Sequence, residues 1–180
     1  MRKRTLIALG LLAGAAALAK ATSGLTRIGM TASEAAISLP GDMEVPMADV
    51  VVDRSVDIQA PDSIVWSIVD DLVGKIEIGM EERGGSDAIG PVVIREERDC
   101  LVVKIPLAGD PAEETTFPST CAFVLLPMAN GRTRLHLRER HLSTETVPAW
   151  KVRAALAIEL PSAMALLNDV KKAAEVAAAV

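Results

Sequence analysis

Aromatic residues are almost missing from this chain of 180 residues, which contains two Trp, two Phe and no Tyr. Proteins that bind bases or flat sugars use aromatic rings as stacking platforms, and this chain has few of them to offer. Half of the residues are nonetheless hydrophobic. The core and any cavity must therefore be built from Val, Leu, Ile, Ala and Met, and aliphatic walls of this kind favour an acyl or isoprenoid chain as a ligand.

Excess positive charge is also lacking, since 24 Asp and Glu outnumber 19 Lys and Arg and the formal net charge is −5 at pH 7. Binding to nucleic acid requires a basic face that meets the phosphates. The sequence has no basic stripe beyond its first four residues, where Arg2, Lys3 and Arg4 stand together. We therefore expect no nucleic acid partner.

Cysteine is limited to Cys100 and Cys121, which do not make a disulfide framework or a CxxC site. We expect two buried free thiols, and a single disulfide between them is the alternative for an exported domain. His136 and His141 have opposite parity on a predicted strand, so they do not form a two-histidine metal face. No phosphate-binding, dinucleotide-binding or serine-nucleophile motif occurs in its required context. We expect no metal and no cofactor.

The first 25 residues have the pattern of a membrane-targeting segment. A basic head precedes an uncharged apolar run from Thr5 to Ala19, which Lys20 interrupts. As a helix this run would be about 22 Å long, shorter than the roughly 30 Å hydrocarbon core of a bilayer. A cleaved signal peptide and a retained membrane anchor are both open, and either one places the body of the protein outside the cytoplasm.

The rest of the chain is predicted to be a linker, residues 26–48, followed by one α+β domain, residues 49–178. Pro and Gly residues block long regular elements in the linker. A strand is predicted from Asp49 to Ile58, because alternate residues there are apolar, with Arg54 as the one misfit. A helix then begins at Pro61 and is predicted to end at Gly74, followed by a short strand from Ile76 to Met80.

The second half of the domain is predicted to contain four more strands and two helices. The strands are 92–97, 100–107, 116–126 and 133–142, and the last two form a hairpin that turns at Asn130-Gly131. The helices are 150–159 and 161–178, separated at Pro161 because proline lacks an N–H and disfavours helix at the residue before it. Strands followed by a long terminal helix indicate an α+β fold.

The run from Val52 to Pro61, with the Val65-Trp66 pair that follows, resembles the opening of the polyketide cyclase/dehydrase and lipid-transport group of the START-like (SRPBCC) superfamily. Residues 123–127, 130–135 and 138–140 are similar to the central hairpin of that group, and residues 39–42 fit the lead-in of one branch. The resemblance extends from about Leu39 to Lys172. The stretch between Leu72 and Pro91 is shorter than in many relatives and lacks their aromatic-rich segment.

The resemblance implies a helix-grip (Bet v 1-like) fold behind an N-terminal hydrophobic helix. In this fold a curved antiparallel sheet packs on a long C-terminal helix, and an elongated apolar cavity lies between them. The alternative for the apolar side chains in this region is ordinary core packing. The residues expected to contact a ligand are Trp66, Phe123, Leu125, Leu135, Leu137, Glu139, Met164 and Leu167.

Glu139 is the candidate for chemistry, because it shares strand parity with Leu137 and can face the cavity. A carboxyl group in an aliphatic pocket would have its pKa raised by desolvation, and it would serve as a general acid or a ligand anchor. The alternative, which we favour, places Glu139 in solvent or pairs it with Arg54 or Arg140. His141 has the same parity and completes the one acid–base pair that the sequence suggests.

Three functions are compatible with these patterns. The first is binding or carrying of a hydrophobic, lipid-like small molecule by a membrane-targeted domain. The second is an envelope domain that binds another protein and holds no ligand, and the third is a polyketide cyclase or dehydratase-like enzyme. The aliphatic composition and the few polar constellations favour the first, since burying each CH₂ contributes about 0.8 kcal/mol without any catalytic group.

Overall fold

The computed structural model describes residues 26–82, 90–108 and 117–180, and over 76–82 it describes the backbone alone. The predicted targeting segment, residues 1–25, lies outside these ranges. No helix within the described ranges is long and apolar enough to cross a bilayer. In chain order the elements are β1 (Arg27–Ile28), α1 (Ala32–Ala35), β2 (Val50–Ile58), α2 (Asp62–Glu82), β3 (Val92–Glu96), β4 (Cys100–Ile105), β5 (Ser119–Pro127), β6 (Thr133–His141) and α3 (Ala149–Ala178).

The six strands form one sheet in the order β1-β2-β6-β5-β4-β3. All neighbours are antiparallel except β1, which pairs in parallel with β2. The predicted hairpin of β5 and β6 is present, and Asn130 and Gly131 at its turn have φ of 63° and 67°. A residue with positive φ is most easily Gly or Asn, which is why this dipeptide favours a hairpin turn.

Strand alternation gives the sheet two different faces. On the inner face, which α2 and α3 cover, the side chains are mostly aliphatic and form two core clusters. The opposite, outer face carries a smaller apolar cluster with Leu39 at its centre. The same alternation places Leu135 and Leu137 of β6 on the inner face and His136 and Arg138 on the outer face.

The segment predicted to be a linker is instead packed against the outer face, and we call residues 26–48 the strap. Leu39 and Val45 of the strap are buried. Arg138 donates hydrogen bonds to the carbonyl oxygens of Ala35, at 2.6 Å, and Ile37, at 2.8 Å. Pro and Gly prevent long helices and strands here, as expected, but irregular backbone can still pack when side chains satisfy its carbonyl groups.

Helix α2 continues through Gly74 to Glu82, so both the predicted helix end at Gly74 and the predicted strand from Ile76 to Met80 are wrong. Glycine within a helix costs only about 1 kcal/mol relative to Ala. Val69 and Val73, buried on the turn before, hold this part of α2 against the sheet. Once a helix is anchored in this way, each further residue adds a hydrogen bond, and a single Gly does not end it.

Helix α3 is likewise continuous, and the predicted break at Pro161 is wrong. Proline removes one hydrogen bond and its ring crowds the carbonyl group of residue 157. The helix is held on both sides of this defect, by Val152 and Leu156 before it and by Leu167 and Val170 after it, all of which are buried. Packing of the two halves on one sheet therefore keeps the helix continuous across the proline.

Candidate functional site

Four polar side chains interrupt the aliphatic inner face at one place, and we call them the inner cluster. They are Arg54 from β2, Ser119 from β5, and Glu139 and His141 from β6. The pairing of β2 with β6 sets Arg54 opposite Leu137, one step diagonally from Glu139 on the same face. Each strand contributes a residue whose polarity breaks its own apolar alternation, and the register brings these exceptions together.

The inner cluster is almost completely shielded from solvent. Arg54 and His141 are each 1% exposed, and the side chain of Glu139 is 13% exposed. Arg54 Nη1 lies 2.9 Å from Glu139 Oε1, which makes a buried ion pair. His141 Nδ1 shares a 2.9 Å hydrogen bond with Ser119 Oγ, and this bond turns the other ring nitrogen, Nε2, toward Glu139. The distance from that nitrogen to Glu139 Oε2 is 4.0 Å.

The pKa of Glu139 is lowered, so the predicted rise is wrong. Burial alone would raise the pKa of this carboxyl, but the neighbouring His141 ring and the Arg54 guanidinium outweigh burial. Pairing with Arg54 is confirmed, but Glu139 lies mostly buried on the inner face of a regular strand and not in solvent. Glu139 is therefore a carboxylate at neutral pH, suited to accepting hydrogen bonds or to stabilising positive charge.

Several polar atoms of the cluster have no hydrogen-bond partner among the described residues. They are Arg54 Nε and Nη1, Glu139 Oε2 and His141 Nε2. Arg54 Nη1 is within ion-pair distance of Glu139, but the geometry of this contact is not that of a hydrogen bond. Leaving buried donors and acceptors unpaired costs roughly 1–3 kcal/mol for each group, and more for charged ones. A polar group of a guest molecule would relieve this cost.

The part of α3 that faces the cluster is only partly buried, although Ala163 and Met164 pack against the core. Its sheet-facing positions include Leu156, Glu159, Ala163 and Leu167, spaced three or four residues apart. In this fully described helix no residue from 157 to 166 is buried, although residues before and after are. This stretch contains Pro161. The inner cluster therefore faces a part of α3 whose side chains are only partly buried or exposed.

Glu159 belongs to the same region and was not predicted from the sequence. Its side chain is largely exposed, yet partial burial and, next, the Glu139 carboxylate raise its pKa. Glu159 lies three residues after the buried Leu156 and four before Ala163, which places it toward the sheet-facing side of α3.

The predicted ligand-contact residues lie together between the sheet and the helices. Trp66, Phe123 and Leu137 belong to one buried core cluster with Leu125, Leu135 and Leu167, and Met164 packs against its edge. Glu139 adjoins this core through its cross-strand neighbour Cys121. The structure brings all eight predicted residues to the inner face, and their contact with a ligand stays a prediction.

Both cysteines are buried free thiols, as favoured from the sequence. Cys121 faces inward and Cys100 faces outward. Burial raises the pKa of Cys121 well above its usual value and that of Cys100 to about 11, so neither is a thiolate at neutral pH. Cys100 lies beside the exposed carboxylates of Glu96 and Asp99, but a protonated buried thiol is a poor metal ligand.

Ser119 and Glu159 could not be assigned to the site from sequence, because a lone Ser at a strand start and a Glu in an Ala-rich helix are common surface residues. Among the cluster residues, Arg54 gave the clearest indication of the site in the sequence. It was a charged residue on the apolar parity of its strand, and Glu139 was an opposite charge on the apolar parity of another. Two such misfits of opposite sign on neighbouring strands favour a buried ion pair.

Comparisons with known proteins add few constraints. No protein-family model matches the chain, and no curated protein matches it. The chain is similar to the solved structure of the Zhui aromatase/cyclase from Streptomyces sp. R1128, with 19% identity, coverage of 69% of this chain and 93% of that one, and a TM-score of 0.40. It is also similar to a protein from Mesorhizobium loti, with 18% identity, coverage of 68% of this chain and 95% of that one, and a TM-score of 0.46. A third similar structure is a START superfamily protein from Mycobacterium smegmatis, with 19% identity, coverage of 68% of this chain and 97% of that one, and a TM-score of 0.34. Similarity at this level assigns neither a ligand nor an activity.

The architecture can be read from the strands and helices themselves. The strand after the strap pairs with the last strand of the sheet, the remaining strands follow in antiparallel order, and the C-terminal helix packs on the inner face. These are the features that the sequence resemblance implied. The described part of the chain therefore has the START-like, helix-grip fold.

Proposed function

We propose that this domain binds a hydrophobic, lipid-like small molecule between the inner face of the sheet and the middle of α3, with a polar end of the ligand on the inner cluster. One observation carries the proposal. Four buried polar atoms of Arg54, Glu139 and His141 lack hydrogen-bond partners among the described residues, on the inner face where residues 157–166 of α3 are not buried.

The surroundings of the cluster suit an apolar ligand body. On one side lies the large aliphatic core that contains Leu137 and Leu167, and on the other side lies a second cluster that contains Val52 and Leu156. An apolar chain lying along these walls would gain about 0.8 kcal/mol for each CH₂ removed from water. Affinity then comes mainly from the length of the buried chain.

The unpaired atoms define the chemistry of the polar end. Arg54 Nε and Nη1 are donors and suit a carbonyl or carboxyl oxygen of the ligand. Glu139 Oε2 is an acceptor and suits a hydroxyl hydrogen. A chain or ring system that ends in a carbonyl or hydroxyl group would satisfy the cluster, whereas a pure hydrocarbon would leave it unpaired.

Replacing Ala163 by Phe tests this proposal, because Ala163 is a partly buried, sheet-facing residue of α3 that packs against the core beside the proposed ligand. We expect the variant to fill the space and to weaken binding of a fluorescent fatty acid at least tenfold, which corresponds to about 1.4 kcal/mol. The measurements are titration of the full chain with the fluorescent fatty acid, and mass spectrometry of an organic-solvent extract of the purified protein.

The matched control is Ala165→Phe, since Ala165 is exposed on the side of α3 that faces away from the sheet. This variant should bind the fatty acid like the wild type. If the space beside the cluster is closed, Ala163→Phe will instead overpack the core and lower stability by about 1–3 kcal/mol. That loss, together with no fatty acid binding by the wild type, would refute the proposal.

A cyclase or dehydratase-like enzyme is the second candidate, and one observation favours it. Ser119 holds His141 by Nδ1, so that Nε2 faces the Glu139 carboxylate and the interior. A histidine oriented in this way can transfer protons to a bound substrate. Turnover of a polyketide-like substrate that is lost in Glu139→Gln would support the enzyme, and unchanged turnover would exclude Glu139 from catalysis.

We also propose that the domain acts outside the cytoplasm, attached to the membrane or released from it. The support is the basic head and the apolar run from Thr5 to Ala19 in the sequence. Cell fractionation followed by N-terminal sequencing of the mature protein distinguishes a cleaved signal peptide from a retained anchor. Recovery of the intact chain in the cytoplasm would contradict both.

A further inference from the structure

The outward side of the first half of α3 carries an exposed apolar stripe. Its members recur every three or four residues, all are exposed, and they are Trp150, Ala154, Ile158, Pro161 and Ala165. Trp150 is 66% exposed and Ile158 is 80% exposed. From the first member to the last the stripe is about 22 Å long, at 1.5 Å per residue. The one charged residue between its second and last members, Glu159, lies on the sheet-facing side of the helix.

The second half of the same helix has a different outward side. There the exposed residues include Asn168, Asp169 and Lys172, as expected for a helix that faces water. The apolar stripe is therefore confined to the first four turns. A contiguous exposed apolar patch of this kind marks a surface that binds something, whereas single exposed apolar residues do not.

The residues at the start of the stripe indicate what covers it. Lys151 lies with its Nζ 5.9 Å from the centre of the Trp150 ring, and the partly buried Arg153 donates a hydrogen bond to the Asp49 carbonyl oxygen. Tryptophan is enriched at the boundary between hydrocarbon and water in membranes, and Lys and Arg next to it meet anionic head groups. An apolar stripe with Trp and basic residues at one end is typical of a helix that lies in a bilayer interface.

The point where the chain enters the domain supports the same partner. Because β1 pairs in parallel with β2, Thr26, the first described residue, lies toward the end of the sheet where β2 begins at Val50. At that end Val152 and Leu156 of α3 pack against Val50. The apolar run that ends at Ala19 is thus joined by a few residues to the end of the domain that carries the stripe.

We propose that the stripe from Trp150 to Ala165 rests in the interfacial layer of a lipid bilayer, so that the domain docks on the membrane through the first half of α3. The proposal does not depend on which ligand, if any, occupies the inner face. It concerns the outer side of α3 and a lipid surface as partner.

Trp150 provides a local readout that the N-terminal segment does not affect. The full chain is mixed with vesicles of phosphatidylcholine and phosphatidylglycerol, with bromine-labelled acyl chains in one set. The emission of the Trp150→Phe variant is subtracted to remove the signal of Trp66, which is buried in the core. We expect the Trp150 emission to shift to the blue and to be quenched by the brominated lipid.

Ile158→Glu should abolish both the shift and the quenching, because it places a charge in the middle of the stripe. Val176→Glu is the matched control. Val176 is 69% exposed, and since 18 residues make five turns it has the same angular position on the helix as Ile158, but in the polar half. This variant should behave like the wild type, and circular dichroism should be the same for both variants.

Two results would overturn the proposal. In the first, aqueous iodide quenches Trp150 equally with and without vesicles, which places the stripe in water. In the second, the blue shift occurs without vesicles and grows with protein concentration together with a dimer in sedimentation, which assigns the stripe to a second copy of the chain.

Discussion

Replacing Arg54 by Met should lower the free energy of unfolding by about 3–5 kcal/mol, because it leaves the Glu139 carboxylate buried without its partner. Arg54 is 1% exposed and its guanidinium lies 2.9 Å from the carboxylate. The side chain of Met has a similar length and keeps the aliphatic contacts, so the change removes mainly the charge. Urea unfolding of the full chain, extrapolated to water, measures the loss.

The double variant Arg54→Met/Glu139→Leu is the control for this prediction. Replacing both members of a buried ion pair by apolar residues is often neutral or stabilising. We therefore expect the double variant to recover most of the stability that Arg54→Met loses. A loss below about 1 kcal/mol in the single variant would show that water solvates the pair as it does at a surface.

The pH dependence of stability also tests the role of Arg54, because its direction should differ between the wild type and Arg54→Met. In the wild type the pKa of Glu139 is lowered, so its stabilising contribution is present above its ordinary value of 4.5 and is lost as the pH falls through the folded-state pKa. Without Arg54, burial is opposed by the His141 ring alone, and we expect burial then to raise the pKa of Glu139. The variant should then become less stable as the pH rises above that ordinary value, opposite to the wild type.

The second large effect is expected on the outer face, where Asp53→Asn should lower the free energy of unfolding by about 3 kcal/mol. Asp53 is buried, and its Oδ1 accepts hydrogen bonds from Arg138 Nε at 2.7 Å and from His136 Nε2 at 2.8 Å. Arg138 in turn binds the strap at Ala35 and Ile37. Loss of the carboxylate charge leaves a buried guanidinium undercompensated and weakens the attachment of the strap.

Urea unfolding and amide hydrogen exchange of the strap measure this prediction together. Burial would raise the pKa of Asp53, but hydrogen bonds from His136 and Arg138 outweigh it and lower the pKa. The wild type should therefore lose stability as the pH falls below about 4, and the variant should lose less over the same range. Asp71→Asn is the control, since Asp71 forms an exposed pair with Lys75 that is worth less than about 1 kcal/mol. Equal losses in the two variants would contradict the role of Asp53.

Periodicity in the sequence was sufficient to predict five of the six strands of the described sheet, but it missed β1 and wrongly added a strand at 76–80. Alternation in β2 and β6 and the Asn130-Gly131 turn each depend on a few neighbouring residues, so each can be recognised without the rest of the fold. The same alternation assigned Glu139 and His141 to the inner face and singled out Arg54 as a charge on an apolar parity. The inward orientation of Arg54, Glu139 and His141 therefore follows from strand alternation alone.

Local rules failed where distant packing outweighed them. Gly74 and Pro161 are helix-breaking signals of about 1–3 kcal/mol, but buried residues on both sides of Pro161, and before Gly74, anchor the helices to the sheet. The strap looked like a linker because its partners, among them Arg138 and Arg140, lie about 100 residues later. A sequence pattern that spans only a few adjacent residues carries no information about contacts between residues so far apart in the chain.

The pKa of Glu139 shows this division most clearly. Strand parity alone could place its carboxyl on the buried side of the sheet, because side chains alternate with a period of two. The direction of its pKa shift depended on Arg54 and His141, which reach it across two strand pairings and along β6. Burial and charge act with opposite sign on a carboxyl group, and only the distances in the folded chain show which is larger.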